Sequence, residues 1–164
     1  MDPRPAWRLA EPRDDDRLID LSLRLYEEDP AERPVSRESV RRTLEALRAE
    51  PVRGRVLACE ASEGSGDGRV VGYAILVAFW SNELGGETCE IDELFVEGPW
   101  RGRGLATELL ERLQEDRALW PGRPVALCLQ VTPDNARARA LYERLGFRVR
   151  KNTMLVRRDP AGHS

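Results

Sequence analysis

The sequence predicts an α/β (α+β) fold with a mixed, mostly antiparallel central sheet and helices on both faces. Three strand-like runs follow one another between residues 55 and 96, separated by turn-forming segments, which is typical of antiparallel neighbours. A helix at about 105–119 and a strand at 125–131 come next, in the order of a parallel strand-helix-strand step. The chain of 164 residues is long enough for one compact domain with a sizeable core.

The N-terminal part of the chain predicts one short strand and two helices. WRLA, residues 7–10, is the strand, and LIDLSLRLYEE, residues 18–28, follows with leucines at helical spacing. After a break at two prolines, SRESVRRTLEALRAE at residues 36–50 predicts a second helix with Ser36 or Ser39 as its N-cap.

The middle part predicts a hairpin and a third strand. RVLACEAS at residues 55–62 and RVVGYAILVAFW at residues 69–80 are joined by the turn-forming segment EGSGDG, so they are expected to pair as antiparallel neighbours. TCEIDELFV, residues 88–96, follows another turn-forming segment and interleaves carboxylates with apolar residues.

The C-terminal part predicts a helix and a last strand. The helix runs from about Asp134 to Leu145, and FRVRKNTMLVRR at residues 147–158 predicts closing β-structure. Residues 159–164 are expected to form a flexible tail, so the predicted single domain spans residues 1–158.

Composition and charge argue against several classes of function. The net charge of -3 does not favour a nucleic-acid partner. No apolar run approaches the length of a membrane span and the start lacks a leader pattern, so we expect a cytoplasmic protein without membrane contact. The single histidine, His163, lies in the polar tail, which argues against a histidine triad or a metal site. Cys59, Cys89 and Cys128 are expected to be reduced packing residues.

The segment VEGPWRGRGLATELLERL, residues 96–113, places two arginines and three glycines between a strand and a helix. The first amides of a helix lack internal partners and attract anions, and Gly102 and Gly104 permit a backbone that brings several amides together. The pattern therefore predicts a phosphate-binding turn, with Arg101 and Arg103 adding charge. A plain strand-to-helix turn with solvated arginines explains the same residues equally well.

Two motifs resemble the GCN5-related N-acetyltransferase (GNAT) superfamily. RGRGLA matches the pattern Arg/Gln-x-x-Gly-x-Gly/Ala after a strand ending in LFV, and NARARALYERLGF follows about thirty residues later. The resemblance extends over residues 70–154, with some likeness to diamine acetyltransferases. It implies the GNAT fold, in which the sheet splays between strands 4 and 5. It also implies an N-acetyltransferase domain that uses acetyl-CoA as co-substrate and needs no metal.

The same resemblance implies which residues bind the coenzyme. The backbone of the strand end is expected to pair with pantetheine, and the Val96 N–H to hold the oxyanion of the intermediate. Asn135 is expected near the pantetheine arm, although it also suits a helix N-cap. The coenzyme set consists of Leu94, Phe95, Val96, Arg101, Gly102, Arg103, Gly104, Leu105, Ala106, Thr107 and Asn135.

An amine acceptor with a pKa of about 10.4 must lose a proton before it attacks, so a base is required. The strand segment EIDE supplies Glu90, Asp92 and Glu93. Simple alternation places Glu90 and Asp92 on one face and Glu93 on the other. The assignment stays open among the three, with Glu93 favoured first and Glu90 second. For any one of them alone a surface or salt-bridge role is the favoured explanation, but three carboxylates in a strand that should be largely buried favour a function.

The remaining expected roles also follow the resemblance. Tyr142 matches the tyrosine that protonates the leaving thiolate in the family, although its helical spacing alone suggests a core aromatic. Tyr26, Glu27 and Glu28, at the end of the first helix, are expected to line the acceptor pocket. Their charge favours the primary amine of a small cationic molecule.

Three alternatives to this acceptor stay open. They are a protein N-terminus, a protein lysine, and no acceptor at all in a module that only senses acetyl-CoA. The sequence does not determine the oligomeric state, but many members of the family are dimers, and a homodimer that pairs residues 147–158 at an edge is possible.

Overall fold

The computed structural model describes residues 4–62 and 68–158. The chain divides into two compact units, Met1–Thr132 and Pro133–Ser164. The predicted flexible tail, residues 159–164, and residues 63–67 of the first predicted hairpin turn lie outside the described residues. That residues 1–158 form a single domain stays a prediction.

Among the described residues, the first unit contains the sheet and three α-helices, and the second contains one α-helix. In the first unit the elements are β1 Ala6–Leu9, α1 Asp15–Glu28, α2 Arg37–Ala49, β2 Gly54–Ala61, β3 Arg69–Ser81, β4 Gly86–Val96, α3 Leu105–Glu115 and β5 Ala126–Leu129. The second unit has α4, Ala136–Arg144. Ser36 is the N-cap of α2, and its hydroxyl accepts a hydrogen bond from the Ser39 N–H.

The five strands form one sheet in the order β1-β2-β3-β4-β5. The first three pairings are antiparallel and the β4–β5 pairing is parallel. This confirms the predicted mixed, mostly antiparallel sheet. Within the described residues, no helix is both long and apolar enough to cross a bilayer.

Helices cover both faces of the sheet in the first unit. On one face the apolar sides of α1 and α2 pack on Ala58, Tyr73 and Phe95, which lie side by side in register. On the other face, the Trp7 indole N–H donates to the Leu105 carbonyl at 2.9 Å, so α3 begins against β1. The β4 strand therefore lies between two apolar layers, which bury Glu90 and Glu93 in part, while Asp92 stays exposed.

A β-bulge interrupts β4 where its pairing with β5 ends. Glu93 pairs with Ile75 and Ile91 with Leu76, so Asp92 is the extra residue. The parallel pairing reaches Ile91 and stops, while β4 continues to Val96. Among the described residues, no strand pairs with the last five residues of β4 on the β5 side, as the predicted splay requires.

The bulge also changes which carboxylates share a face. Val77 and Ile75 lie on one face of β3, and they oppose Glu90 and Glu93 respectively. The prediction that Glu90 shares a face with Asp92, opposite Glu93, is therefore wrong. The extra residue shifts the alternation by one, so that Glu90 and Glu93 both face the side that carries α1 and α2.

The predicted closing β-structure over residues 147–158 is absent from the part of the chain that the structure describes. This segment has no strand, and Val149 and Leu155 are 76% and 91% exposed. Strand propensity in this run is realised only where a neighbouring strand accepts its hydrogen bonds. The prediction was therefore wrong for these residues, and the homodimer that was linked to them stays a prediction.

Glu97, the residue after β4, is 4% exposed and holds a cluster of three arginines. Its carboxylate pairs with Arg17 at 2.8 Å, with Arg69 at 3.0 Å, and with Arg24. Burial opposes its ionisation, but hydrogen bonds from Arg17 and Arg24 outweigh that cost and leave the pKa of Glu97 below its ordinary value of 4.5. The cluster ties α1 to the start of β3 and the end of β4.

Replacing Glu97 with glutamine should lower the free energy of unfolding at pH 7 by roughly 1–3 kcal/mol, because the arginines lose a buried partner but remain partly solvated. A carboxyl whose pKa is depressed by folding stabilises the protein above its unfolded pKa, and the effect is lost as pH falls. The difference between wild type and Glu97→Gln in urea unfolding should therefore shrink below about pH 4.5. Glu11→Gln, at an exposed pair with Arg13, is the control. An equal loss at pH 7 and pH 3.5 would contradict this account.

Candidate functional site

The turn between β4 and α3 has the backbone that the sequence predicts. Gly102 and Gly104 have φ of 76° and 78°, in the left-handed region that favours glycine. Gly104 is the N-cap of α3, which begins at Leu105. A side chain added at Gly102 would meet nothing within 4 Å among the described residues, so the concave side of the turn is open.

Helix geometry leaves the amides of Leu105, Ala106 and Thr107 without partners inside α3. Positive charge surrounds this helix end. The Arg103 guanidinium lies 4.6 Å from the centre of the Trp100 ring. Arg4 lies 3.0 Å from the Glu108 carboxylate and 3.5 Å from the position that a Gly104 Cβ would take. Sequence reasoning missed Arg4, because nothing local in the chain links it to residue 104.

The end of β4 directs backbone groups to the side of the sheet where β5 has ended. The Glu97 N–H donates to the Val71 carbonyl at 2.9 Å. Since backbone groups alternate along a strand, those of Phe95 also point to β3, and those of Leu94 and Val96 point away from it. Leu94 and Val96 thus offer their backbone on the side where β5 has left the sheet. Phe95 instead contributes a buried ring to the core.

Arg101 turns back towards β4 and α1. Its Nε donates to the Val96 carbonyl at 2.6 Å, and its Nη2 donates to the Glu28 carboxylate at 2.6 Å. The guanidinium also lies 5.1 Å from the centre of the Phe95 ring. Two of the residues predicted for different ligands, Glu28 and Arg101, are therefore bonded to each other.

Glu93 accepts hydrogen bonds from three hydroxyl groups. Tyr26 donates to one carboxylate oxygen at 2.5 Å, while Tyr73 and Ser22 donate to the other at 2.6 Å and 3.1 Å. Ser22 and Tyr26 lie one turn apart on α1, and Tyr73 comes from β3. The bulge at Asp92 is what directs Glu93 to this face, so the cluster depends on that one extra residue.

The two phenols in this cluster remain neutral donors at physiological pH. Burial raises the pKa of Tyr26, as do its hydrogen bond to Glu93 and the charges of Glu93 and Asp92. Burial and the neighbouring Glu93 raise the pKa of Tyr73 further. Asp92 reaches solvent, yet the protein around its carboxylate desolvates it in part and raises its pKa. Two carboxylates therefore act on the Tyr26 hydroxyl.

The other predicted acidic residues occupy different surroundings. Glu90 lies half-buried in the paired part of β4, opposite Val77 and Cys128. Glu27 is exposed at the end of α1, next to Glu28. Among the five acidic candidates, only Glu93 is held by a set of hydroxyl donors, within the part of the chain that the structure describes.

Tyr142 and Asn135 belong to the second unit. Asn135 caps α4, and its side-chain oxygen accepts a hydrogen bond from the Ala138 N–H at 3.1 Å. Tyr142 is half-buried and packs edge-on against Phe147, with ring centres 5.6 Å apart. Burial raises the pKa of Tyr142, so its hydroxyl keeps its proton.

Cys59 and Cys89 are buried thiols that form no disulfide. Burial raises the pKa of each of these two thiols to about 12, so they are poor nucleophiles. No group of three or more metal-ligating side chains is found among residues 4–62 and 68–158.

The turn and the strand end together fit the acetyl-CoA that the sequence resemblance implies. Left-handed glycines, free helix amides and nearby arginines meet the needs of a diphosphate. The Leu94 backbone and the Val96 N–H, which point to the side where β5 has ended, meet the needs of a ligand that carries amides.

Solved structures of other proteins share the fold of this chain. A possible acetyltransferase from Clostridium difficile 630 is 18% identical with a TM-score of 0.76, over 96% of this chain and 99% of that protein. A ribosomal-protein-alanine N-acetyltransferase from Brucella melitensis is 19% identical with a TM-score of 0.68, over 93% and 99%. An aminoglycoside N-acetyltransferase in complex with CoA is 16% identical with a TM-score of 0.70, over 96% and 99%. At these identities the likeness shows a common fold.

No protein of curated function matches the sequence significantly. Residues 18–147, well over half of the sequence, match the model of the acetyltransferase (GNAT) family. Together with the splayed sheet and the glycine-arginine turn, this match establishes that the chain belongs to the GNAT family of acetyltransferases, which use acetyl-CoA.

Proposed function

We propose that the protein transfers the acetyl group of acetyl-CoA to the primary amine of a small cationic molecule. The transfer is a direct attack in a complex that contains both substrates. The observation that carries the proposal is the Glu93 cluster, in which three hydroxyls hold a carboxylate at the open end of β4. When bound, acetyl-CoA supplies the thioester whose carbonyl carbon the amine attacks.

Glu93 is the proposed acceptor of the amine proton. The Tyr26 hydroxyl donates to Glu93 and keeps its own oxygen lone pairs free to accept a proton from an ammonium group. As that proton reaches the Tyr26 oxygen, the phenol proton passes to Glu93, and the phenol remains neutral. The route suits a tyrosine with a raised pKa, because it never requires a phenolate.

Two other groups complete the proposed chemistry. The Val96 N–H points to the open side of the sheet and would donate to the oxygen that gains charge during the attack. Tyr142 would give its proton to the leaving thiolate, and its raised pKa keeps that proton available. Arg103 and the α3 amides would bind the diphosphate, with Gly102 and Gly104 shaping the turn.

The charge near Tyr26 supports a cationic acceptor. Asp92 and Glu93 both act on the Tyr26 hydroxyl, and Glu27 is exposed at the end of the same helix. Carboxylates around an entrance favour approach of a cation and disfavour anions. A second positive charge on the acceptor would therefore increase its association with the site, and salt would reduce that advantage.

A panel of amines tests this proposal through acetyl-CoA-dependent release of free thiol. The panel contains diamines, polyamines, an aminoglycoside and a neutral monoamine of similar length, together with short peptides that have either a free N-terminus or a free lysine. We expect kcat/KM for the best polycationic amine to exceed that for the neutral amine by about tenfold or more at low salt. Raising the salt concentration should narrow this ratio.

Two outcomes would replace the proposal. A peptide that is a better acceptor than every small amine would assign the protein to protein acetylation, at the N-terminus or at lysine as the two peptide arms indicate. Binding of acetyl-CoA without thiol release for any acceptor would assign it to coenzyme sensing. A preference for the neutral amine would contradict the cationic acceptor while leaving the acetyltransferase activity intact.

A further inference from the structure

The contacts of Arg101 do not match the phosphate-binding role that the sequence motif implies. Its guanidinium is divided between the Val96 carbonyl, the Glu28 carboxylate and the Phe95 ring. All three contacts lie on β4 or α1. These bonds use two of the five N–H donors of the guanidinium and hold it towards β4 and α1.

Arg103 offers a clear contrast two residues later. It is exposed and stacks on Trp100, and within residues 4–62 and 68–158 no carboxylate forms a salt bridge with it. Its charge is therefore available to a ligand at the turn. The two arginines of the motif thus have different surroundings, and only Arg103 has those of an anion ligand.

The bond from Arg101 to Val96 fixes the orientation of the last residue of β4. Val96 pairs with Gly72 of β3 but has no strand partner on its β5 side, because β4–β5 pairing stops at Ile91. In an extended residue, the N–H and the carbonyl point to the same side of the strand. By holding the Val96 carbonyl, Arg101 also holds the direction of the Val96 N–H, which is the proposed donor to the acetyl carbonyl.

The bond from Arg101 to Glu28 links the orientation of Val96 to the end of α1, which is expected to line the acceptor pocket. Glu28 is the last residue of α1, where the helix dipole favours cations, and the last turn of α1 has no basic residue. A glutamate at that position disfavours the helix unless a cation compensates it. Arg101 is that cation, so the end of α1 and the end of β4 are joined through one guanidinium.

We propose that Arg101 is a positioning residue that aligns the Val96 N–H with the acetyl carbonyl and couples this donor to the acceptor-side end of α1 through Glu28. Arg103, not Arg101, contacts the diphosphate. This inference rests on the proposed function, since it assumes that acetyl-CoA lies along the end of β4.

The test compares Arg101→Ala, Glu28→Gln and the double variant with Arg103→Ala. Arg112→Ala is the matched control, because Arg112 also bonds one carbonyl and one carboxylate and is similarly exposed, at 33% against 29%. Affinity for CoA is measured by calorimetry at several salt concentrations. Acetyl-CoA labelled with carbon-13 at the carbonyl reports, by NMR, how strongly its oxygen accepts a hydrogen bond.

For Arg101→Ala we expect CoA affinity to change by less than roughly threefold with unaltered salt dependence, since no phosphate contact is lost. The bound carbonyl resonance should move most of the way back to its value in solution, because the donor is no longer aligned. Glu28→Gln should move it in the same direction by less, and the double variant should match Arg101→Ala. Arg103→Ala should instead weaken CoA binding by roughly tenfold and flatten its salt dependence.

Other outcomes would overturn the inference. A tenfold loss of CoA affinity with flattened salt dependence in Arg101→Ala would make it a phosphate ligand. An unmoved carbonyl resonance, or additive shifts for Arg101→Ala and Glu28→Gln, would remove the positioning role. If wild-type protein fails to bind acetyl-CoA, or binds it without shifting the carbonyl resonance, the proposed function itself fails at this site and the inference fails with it.

Discussion

Replacing Glu93 with glutamine should lower kcat/KM for the best amine by about 10²- to 10⁴-fold, the usual contribution of a general base. Affinity for acetyl-CoA should stay near the wild-type value. Glutamine has almost the same shape and retains one oxygen that can accept from Tyr26 or Tyr73. It cannot, however, take up a proton at physiological pH, so the amine proton could not be transferred through the Tyr26 hydroxyl to residue 93.

Control variants separate the base from groups that only surround it. Glu90→Gln and Asp92→Asn should each reduce kcat/KM by less than roughly tenfold, because neither carboxylate is bonded to the Tyr26 hydroxyl. Tyr26→Phe should reduce turnover more than Tyr73→Phe, since Tyr73 is 1% exposed and can only orient Glu93. A larger loss in Glu90→Gln than in Glu93→Gln would transfer the role of base to Glu90.

Replacing Tyr142 with phenylalanine should lower kcat by about 10²-fold or more, because the leaving thiolate would lack a proton donor. Binding of acetyl-CoA should survive, since the variant keeps the ring that packs on Phe147. Turnover with the best acceptor is the measurement. The wild-type hydroxyl suits the role because burial raises its pKa, which extends the pH range over which it can donate.

A change of leaving group provides the control for Tyr142. An acetyl thioester whose thiol has a low pKa needs no proton as it leaves, so the loss in Tyr142→Phe should be much smaller with that donor. A loss of equal size with both thioesters would mean that Tyr142 supports the structure only. Turnover unchanged from wild type would remove it from the mechanism.

Local sequence was sufficient to predict the backbone conformation of the β4–α3 turn and the order of most strands in the sheet. The left-handed backbone at Gly102 and Gly104 follows from the two residues themselves, because few others tolerate that conformation. The hairpin order β2-β3-β4 follows from short turns between β-rich runs. The capping residues Ser36 and Asn135 were likewise predictable, since a cap acts within a few residues of itself.

The segment at residues 147–158 shows where local preference fails. Its β-branched and alternating residues resemble a strand, but a strand forms only with a partner, and the sequence does not say which edge would receive it. Helix α3 differs less from its prediction: it ends at Glu115, whereas the sequence predicted an end at about Leu119. Helix ends depend on a few weak contacts, so sequence places them less well than helix centres.

The contents of the candidate site were only partly predictable for a related reason. Glu93 and Tyr26 were expected as separate groups, but their hydrogen bond joins residues 67 positions apart. A single extra residue, Asp92, decides which carboxylates face α1, and no feature of EIDE identifies the bulge. The sequence did not predict the ion pair between Arg101 and Glu28, because Arg101 was assigned to the coenzyme and Glu28 to the acceptor pocket.

The central claim is that the backbone of the β4–α3 turn binds the diphosphate of acetyl-CoA, and calorimetric titration of acetyl-CoA tests it most directly. Wild type should bind one equivalent, and Gly104→Val should bind at least roughly tenfold more weakly, because a β-branched residue resists the left-handed conformation. Gly85→Val is the control, since Gly85 has φ of 67° in open space in the β3–β4 turn, and this variant should bind normally. Absence of binding to wild type, or equal affinity in Gly104→Val, would contradict the claim.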